Sequence, residues 1–153
     1  MNKLNNLLEL FYNSYQNKGN KNFFLQSIKK NKKKYTWEDV YVSVNKLSEE
    51  ISKDINKGDR CLIISENRPE WLIADLSIML SKGITVPAYT TYSDKDYEYI
   101  IDDCTPSLII VSNNIQYDKI KDIISKKKFI KKIIFFEKIN IQDRKTYIDI
   151  NDI

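Results

Sequence analysis

Apolar residues recur at helical spacing near the start of the chain. The spacing predicts an amphipathic helix from Lys3 to Tyr15, with one face formed by Leu4, Leu7, Leu8, Phe11 and Tyr15. Two short segments then favour extended structure. Phe23 to Ile28 is predicted to be a strand, and Lys33 to Tyr35 is predicted to pair back on it as a hairpin.

A second stripe of apolar positions follows Thr36. The Thr36 hydroxyl is suited to cap a helix, and Asp39, three residues later, completes the pattern of a capping box. The apolar positions that then share one helical face are Trp37, Val40, Tyr41, Val44, Leu47 and Ile51. This helix is predicted to end near Lys53, before a polar turn around Gly58.

Strands and helices alternate through the rest of the chain. Short apolar runs between turn residues predict buried strands at Cys61 to Ile64, Ile84 to Ala88, Ser107 to Val111 and Lys132 to Phe136. Segments with helical periodicity predict helices at Trp71 to Leu80, from the cap Ser93 through Asp103, and at Ile115 to Lys126. The segment from Glu137 to Ile153 gives only weak signals. The alternation predicts an α/β fold: a doubly wound, mainly parallel sheet with helices on both faces, preceded by the N-terminal helix and the short hairpin.

Three residues sharpen these boundaries. Pro69 fits the first turn of a helix, where its missing N–H would have had no partner. Gly83 is predicted to be the C′ residue that ends the same helix. Pro87 cannot donate to a strand ladder, so its strand is predicted to lie at an edge, at a bulge or at its own end.

The composition excludes several kinds of chemistry. The 153 residues suit one domain, and no second domain is indicated. The chain has no histidine, which removes Ser-His-Asp and Cys-His nucleophile systems. Its only glycines are Gly19, Gly58 and Gly83, so neither of the glycine-rich phosphate-binding motifs can be written. The two cysteines, Cys61 and Cys104, have no metal-binding spacing and indicate free thiols in a reducing cytoplasm.

The net charge is +4, and lysines cluster at Lys29 to Lys34 and at Lys126 to Lys132. Both clusters fall in predicted turns and are interpreted as solvated lysines. Nucleic-acid binding is disfavoured because the clusters lack the series of aromatic residues that a stacking platform for bases requires. The sequence predicts no transmembrane segment, while peripheral contact with an anionic membrane stays open.

Ligands of such sheets bind beyond the carboxyl ends of the strands. Three polar loops are predicted there: Ser65-Glu66-Asn67, Tyr89-Thr90-Thr91-Tyr92 and Ser112-Asn113-Asn114. They could line a cleft, but helix-capping turns are the favoured explanation for most of them. Arg68 could clamp an anion, but a surface ion pair with an acid such as Glu66 is favoured. Asp75, within an apolar helix, could act as a base, but a packing contact with a loop N–H or a cation is favoured.

Three stretches form an ordered series: YTWEDVYVSVNKLSEEI, then KGDRCLIISENRPEWLIADLSIMLSKGITVPAYTTYS, then YIIDDCTPSLIIVS. In order and spacing they resemble the N-terminal region of AMP-forming acyl-CoA synthetases, which are adenylate-forming ligases, and in particular the long-chain fatty-acid branch. The resemblance implies that residues 1–153 are the N-terminal part of the large AMP-binding domain, and thus a partial domain. It also implies ATP, Mg²⁺ and coenzyme A as cofactors of the parent enzyme and a fatty acid as its substrate.

The family's phosphate loop, adenine-binding segment, hinge aspartate and acylation lysine come later in its sequences, and none is found here. The resemblance therefore implies a chain that is inactive alone, with no catalytic residue or metal ligand of its own. In some relatives the loop after the strand matching Ile84 to Ala88 lies beside coenzyme A. Here Tyr89, Thr90, Thr91 and Tyr92 occupy that loop, and Thr90-Thr91 replaces the family's glycine pair.

A second hypothesis is a non-catalytic interaction or dimerisation module related to these ligases. Its partner would be the remainder of a split ligase or another copy of the chain. The expected location under either hypothesis is the cytoplasm, with peripheral attachment to membranes left open.

Overall fold

The computed structural model describes residues 5–18, 23–26, 34–138 and 147–150. Its helices are α1 (Leu7–Lys18), α2 (Trp37–Ile51), α3 (Pro69–Leu80), α4 (Asp94–Cys104) and α5 (Asn114–Ile124). Its strands are β1 (Phe23–Gln26), β2 (Lys34–Thr36), β3 (Arg60–Ile64), β4 (Ile84–Ala88), β5 (Leu108–Val111), β6 (Lys132–Phe135) and β7 (Tyr147–Asp149).

Five of these strands form one parallel sheet in the order β4-β3-β5-β6-β7. The strand β3 lies between β4 and β5, so that Leu62 pairs with Val86 on one side and with Ile109 on the other. The chain thus moves outward from β3 to β4 and returns across β3 to β5. This reversal confirms the doubly wound, parallel α/β prediction. The strand β7 was not predicted.

The sheet is buried on both faces because its central strands contribute apolar residues alternately to two cores. Cys61 and Ile63 lie in the core formed with α2 and α3. Leu62 and Ile64 lie in the core formed with α4 and α5. All four side chains are fully buried, as expected for a strand that reads as a continuous apolar run.

The predicted capping boxes set the starts of α2 and α4. The Thr36 hydroxyl accepts a hydrogen bond of 3.0 Å from the Asp39 N–H, and the Thr36 N–H donates to the Asp39 carboxylate at 2.8 Å. Ser93 and Asp96 form the same reciprocal pair before α4. Each box satisfies two backbone donors that the helix itself cannot pair.

The predicted N-terminal helix and hairpin are present, with a shifted helix start. α1 begins at Leu7 because the Asn6 side chain accepts from the Glu9 N–H at 2.9 Å and caps the helix there. The predicted start at Lys3 lies outside the described residues. The hairpin pairs β1 with β2 antiparallel, and Phe24 stacks on Trp37 with ring centroids 3.8 Å apart.

The sequence had indicated that the lysines of the cluster at Lys126 to Lys132 are solvated. This prediction is wrong for one member of the cluster. Lys132 is only 6% exposed and forms ion pairs with Glu50, at 2.7 Å, and with Asp54. Burial disfavours the charged ammonium, but hydrogen bonds to the two carboxylates outweigh burial, and the pKa of Lys132 is raised. Through these ion pairs, Lys132 connects the end of α2 to the start of β6.

Pro87 lies in β4, which is an edge strand of the described sheet and pairs on its inner side with β3. The prediction of an edge position is confirmed. Within the described ranges, no helix combines the length and the apolar character needed to cross a bilayer.

The end of α3 differs by one residue from its prediction. Lys82, with φ of 63°, is the left-handed C′ residue, and Gly83 follows it. The Gly83 N–H donates to the Ile78 carbonyl at 2.9 Å, and the Lys82 N–H donates to the Met79 carbonyl at 3.0 Å, which is a Schellman motif. Glycine is required at position 83 for space. A Cβ there would lie 2.9 Å from Ile55 Cδ1 and 3.0 Å from Ile78 Cγ2.

Gly83→Ala should therefore destabilise the protein by about 1–3 kcal/mol, because the added methyl group overpacks a buried contact. Chemical denaturation measures this directly. Lys82→Gly is the matched variant, since it relieves a left-handed side-chain residue and should stabilise by about 0.5 kcal/mol. A neutral effect of Gly83→Ala would show that Ile55 and Ile78 can move aside.

Candidate functional site

The three predicted loops meet at the carboxyl edge of the sheet because they follow the adjacent strands β4, β3 and β5. After β3 the chain enters α3, which packs on one face, and after β5 it enters α5, which packs on the other. The chain therefore reverses its direction across the sheet between β3 and β5. This is the switch point at which doubly wound sheets bind ligands.

The loop from Tyr89 to Tyr92 is held from its inner side. The Tyr97 hydroxyl donates to the Tyr89 carbonyl at 2.8 Å, and the Lys119 ammonium donates to the Thr90 carbonyl at 2.5 Å. The Tyr92 N–H closes a turn on the Tyr89 carbonyl at 3.3 Å. The Tyr89 ring is 72% exposed and meets the Tyr92 ring edge to face, with centroids 5.5 Å apart.

Tyr97 and Lys119 were not identified as site residues from the sequence. Tyr97 was predicted only as a core residue of α4, and its ring is indeed fully buried. Burial, followed by the negative charge of Glu66 and the nearby Tyr92, raises the pKa of Tyr97 to about 12. The sequence signal that could have identified Tyr97 is a tyrosine among the predicted core positions of a helix, since a buried hydroxyl needs a hydrogen-bond partner.

The loop after β3 carries a charged carboxylate beside the start of α5. The Gln116 amide nitrogen lies 3.4 Å from a carboxylate oxygen of Glu66. Burial would raise the pKa of Glu66, but its own backbone N–H, the neighbouring Ser112 and Gln116 and the charge of Arg68 outweigh burial and lower it. Glu66 therefore stays ionised at the positive end of the α5 dipole, which Asn113 caps.

Arg68 does form ion pairs, but its partners are not the one predicted. It contacts Glu70 and Glu137, each at 2.8 Å, and its guanidinium lies 5.6 Å from the centre of the Phe136 ring. Tyr35, from the hairpin, donates to Glu70 at 3.1 Å. Arg68 thus joins α3 to the segment after β6, and both of its strong bonds are to protein carboxylates.

Asp75 lies half-buried in α3, as the sequence indicated. Among the described residues, no hydrogen bond or ion pair to its carboxylate is found, so the favoured packing contact with a loop N–H or a cation is absent there.

Acidic side chains mark two of the helix starts at this edge of the sheet. In the described ranges, no group of three His, Cys, Asp or Glu side chains could hold a metal ion. The start of α3 has Glu70 in its first turn, and the start of α4 has Asp94 and Asp96. These carboxylates repel phosphate at two of the helix ends on this edge. The loop from Tyr89 to Tyr92 carries no charged side chain of its own.

Comparison with known proteins places the fold in a family. The profile of the family described as AMP-binding enzyme matches residues 11–150. The chain belongs to this family. Long-chain-fatty-acid–CoA ligase ACSBG1 of Rattus norvegicus is 26% identical to it over 112 residues, which is 69% of this chain and 16% of the rat protein. The resemblance seen in the sequence is therefore confirmed.

Solved structures of AMP-binding ligases share the fold. Coronafacic acid ligase from Pectobacterium brasiliense superimposes with a TM-score of 0.85 at 15% identity, over 97% of this chain and 29% of the ligase. The anthranilate CoA ligase AuaEII, solved with anthranoyl-AMP, gives a TM-score of 0.77 at 19% identity, over 86% of this chain and 25% of that one. The chain thus spans less than a third of either ligase.

Tyr97→Phe should remove one high-pKa phenol and destabilise the loop. At neutral pH the loss of the hydrogen bond from the Tyr97 hydroxyl to the Tyr89 carbonyl should lower the unfolding free energy by about 1 kcal/mol. The pKa of Tyr97 is 10.0 in the unfolded state and about 12 in the native protein. Between these two pH values the native protein keeps the phenol proton, while the unfolded state releases it. Unfolding free energy should therefore fall as pH rises through this window, and less steeply in Tyr97→Phe.

Denaturant unfolding at several pH values, with absorbance titration of the phenols, measures both effects. Tyr99→Phe is the matched control at neutral pH, because that side chain is 73% exposed on the same helix. A native titration curve that is identical in wild type and Tyr97→Phe would contradict the assignment.

Proposed function

We propose that residues 1–153 are the N-terminal part of the large AMP-binding domain of a long-chain fatty acid–CoA ligase, with no second domain in this chain. The parent enzyme would use ATP and Mg²⁺ to convert a fatty acid to an acyl-adenylate and would then transfer the acyl group to coenzyme A. The observation that carries the proposal is the family match over residues 11–150, together with the long-chain-fatty-acid ligases among the relatives.

This chain alone is proposed to be inactive. Its three glycines are far apart in sequence and cannot form a phosphate loop. Two of the described helix starts at this edge of the sheet, those of α3 and α4, carry acids. A chain of this kind contributes scaffold and one wall of a binding site, while the triphosphate chemistry requires residues that the family places later in its sequences.

The loop from Tyr89 to Tyr92 is proposed to lie beside coenzyme A. The strongly exposed Tyr89 ring, packed on Tyr92, offers an apolar surface at the carboxyl edge of the sheet. Aromatic side chains with a free face stabilise such contacts with little loss of conformational entropy. The uncharged loop suits the thiol-bearing arm of coenzyme A, which is built from amides and methylene groups.

The proposed location is the cytoplasm, with peripheral membrane contact left open. This rests on the two free thiols, of which Cys61 is buried and Cys104 is half-buried. Burial, followed by the charge of Asp59, raises the pKa of Cys61 to about 12, so this thiol is unreactive.

A second candidate is an interaction module that docks on a ligase or on another copy of the chain. Its supporting observation is apolar surface on neighbouring helices, where Leu7 and Leu10 of α1 are each 46% exposed and Val42 of α2 is 41% exposed. Sedimentation with and without charged substitutions at Leu7 and Leu10 tests this candidate.

The proposed function predicts that the purified chain binds coenzyme A and catalyses no exchange of pyrophosphate into ATP with any fatty acid. Tyr89→Ala should weaken coenzyme A binding about fivefold, since the exposed ring contributes about 1 kcal/mol. Isothermal titration calorimetry measures the affinity, and a radiolabel assay measures the exchange.

Tyr99→Ala is the matched control, because it removes an equally exposed tyrosine from α4. Equal weakening by both variants would argue against a specific role for the loop. Measurable pyrophosphate exchange by the chain would refute the proposal that it is inactive alone.

A further inference from the structure

Two successive peptide groups in the loop after β4 are fixed from the inside of the molecule. Tyr97, from α4, donates to the Tyr89 carbonyl at 2.8 Å. Lys119, from α5, donates to the Thr90 carbonyl at 2.5 Å. Two helices on the same face of the sheet therefore set the orientation of adjacent backbone groups in one loop.

The orientation of these carbonyls determines where the neighbouring N–H groups point. The chain has no cis peptide bond among its described residues, and a planar trans peptide directs its C=O and N–H to opposite sides. The N–H groups of Thr90 and Thr91 therefore point away from the Tyr97 hydroxyl and the Lys119 ammonium. Neither N–H donates to an acceptor within the part of the chain that the structure describes.

We propose that Lys119 and Tyr97 are positioning residues that aim the N–H groups of Thr90 and Thr91 at an acceptor oxygen of coenzyme A. This inference rests on the proposed function, and it adds the groups that bind and the side chains that orient them. The donors belong to the backbone. The loop can thus make this contact with threonines in place of glycines.

Lys119 has the greater effect of the two positioning residues. Its bond to the Thr90 carbonyl is charge-assisted, and such bonds are about twice as strong as neutral ones. The same bond polarises the peptide group and makes the Thr91 N–H a better donor. The ligand oxygen is an amide carbonyl or a phosphate oxygen of coenzyme A, which differ in charge. Asp94 and Asp96, which begin α4, weigh against the phosphate.

The test compares Lys119→Met, which keeps the length of the side chain without its charge, with Lys119→Arg, which keeps a cationic donor. Lys119→Met should raise the Kd for coenzyme A about tenfold, and Lys119→Arg should restore most of the affinity. Lys121→Met is the matched control on α5, since Lys121 forms an exposed ion pair with Asp118 and should leave the Kd unchanged. Thr90→Ala keeps the backbone N–H and removes the hydroxyl, so it separates a contact of the backbone from a contact of the side chain.

Amide hydrogen exchange of the ligand-free chain gives an independent readout. Lys119→Met should speed exchange of the Tyr92 N–H about tenfold, because the turn that protects it loses its anchor, whereas Lys121→Met should not. Unchanged exchange and unchanged affinity in Lys119→Met would overturn the inference. If wild type bound no coenzyme A, the coenzyme assignment of the loop would fail, and the exchange data would separately decide whether Lys119 positions it.

Two partial ligands distinguish the sources of the oxygen. Binding of pantetheine that is weakened by Lys119→Met assigns the contact to an amide carbonyl. Binding of adenosine 3′,5′-diphosphate that is weakened by the same change assigns it to a phosphate. Coenzyme A binding that Lys119→Met and Thr90→Ala weaken equally would indicate a side-chain contact and would overturn the backbone assignment.

Discussion

The burial of β3 on both faces and along both edges is the constraint on which the rest of the molecule depends. Cys61 to Ile64 have no exposed surface, and full burial of one large apolar side chain stabilises a fold by about 1.5–3 kcal/mol. A strand with no solvent-facing side must have helices above and below it and a strand on either hand. The chain meets this requirement by placing β4 on one edge and returning across β3 to place β5 on the other.

The same return crossing creates the candidate site. The helices α3 and α5, which follow β3 and β5, pack on opposite faces of the sheet. Charged and polar groups meet at this edge, where the Gln116 amide nitrogen lies 3.4 Å from a carboxylate oxygen of Glu66. The neighbouring loop after β4 is in turn anchored by α4 and α5, so its backbone geometry depends on the packing of the sheet as a whole.

Local patterns in the sequence predicted most of this architecture, because caps, turns and apolar periodicity act over a few residues. Long-range contacts were not predictable in the same way. Arg68 and Glu137 are 69 positions apart, and no local rule favours that pair over the nearby Glu66. Gly83 has a characteristic helix-ending residue type, but its role is set by Ile55 on another segment. The three-residue strand β7 carries too short a pattern to be distinguished from a loop.

The contact of Lys119 with the Thr90 carbonyl shows why the geometry of this loop was harder to predict than its scaffold. In a glycine-rich loop, the glycines themselves indicate from the sequence that the backbone can adopt unusual conformations. Here the backbone is oriented by side chains that lie 8 and 29 positions away from the carbonyls they bind, on elements that otherwise look like ordinary amphipathic helices. The sequence of the loop is then free to vary, since the geometry of its peptide groups is imposed from outside it. The conformation of the loop is thus set by side chains of α4 and α5 rather than by its own residues.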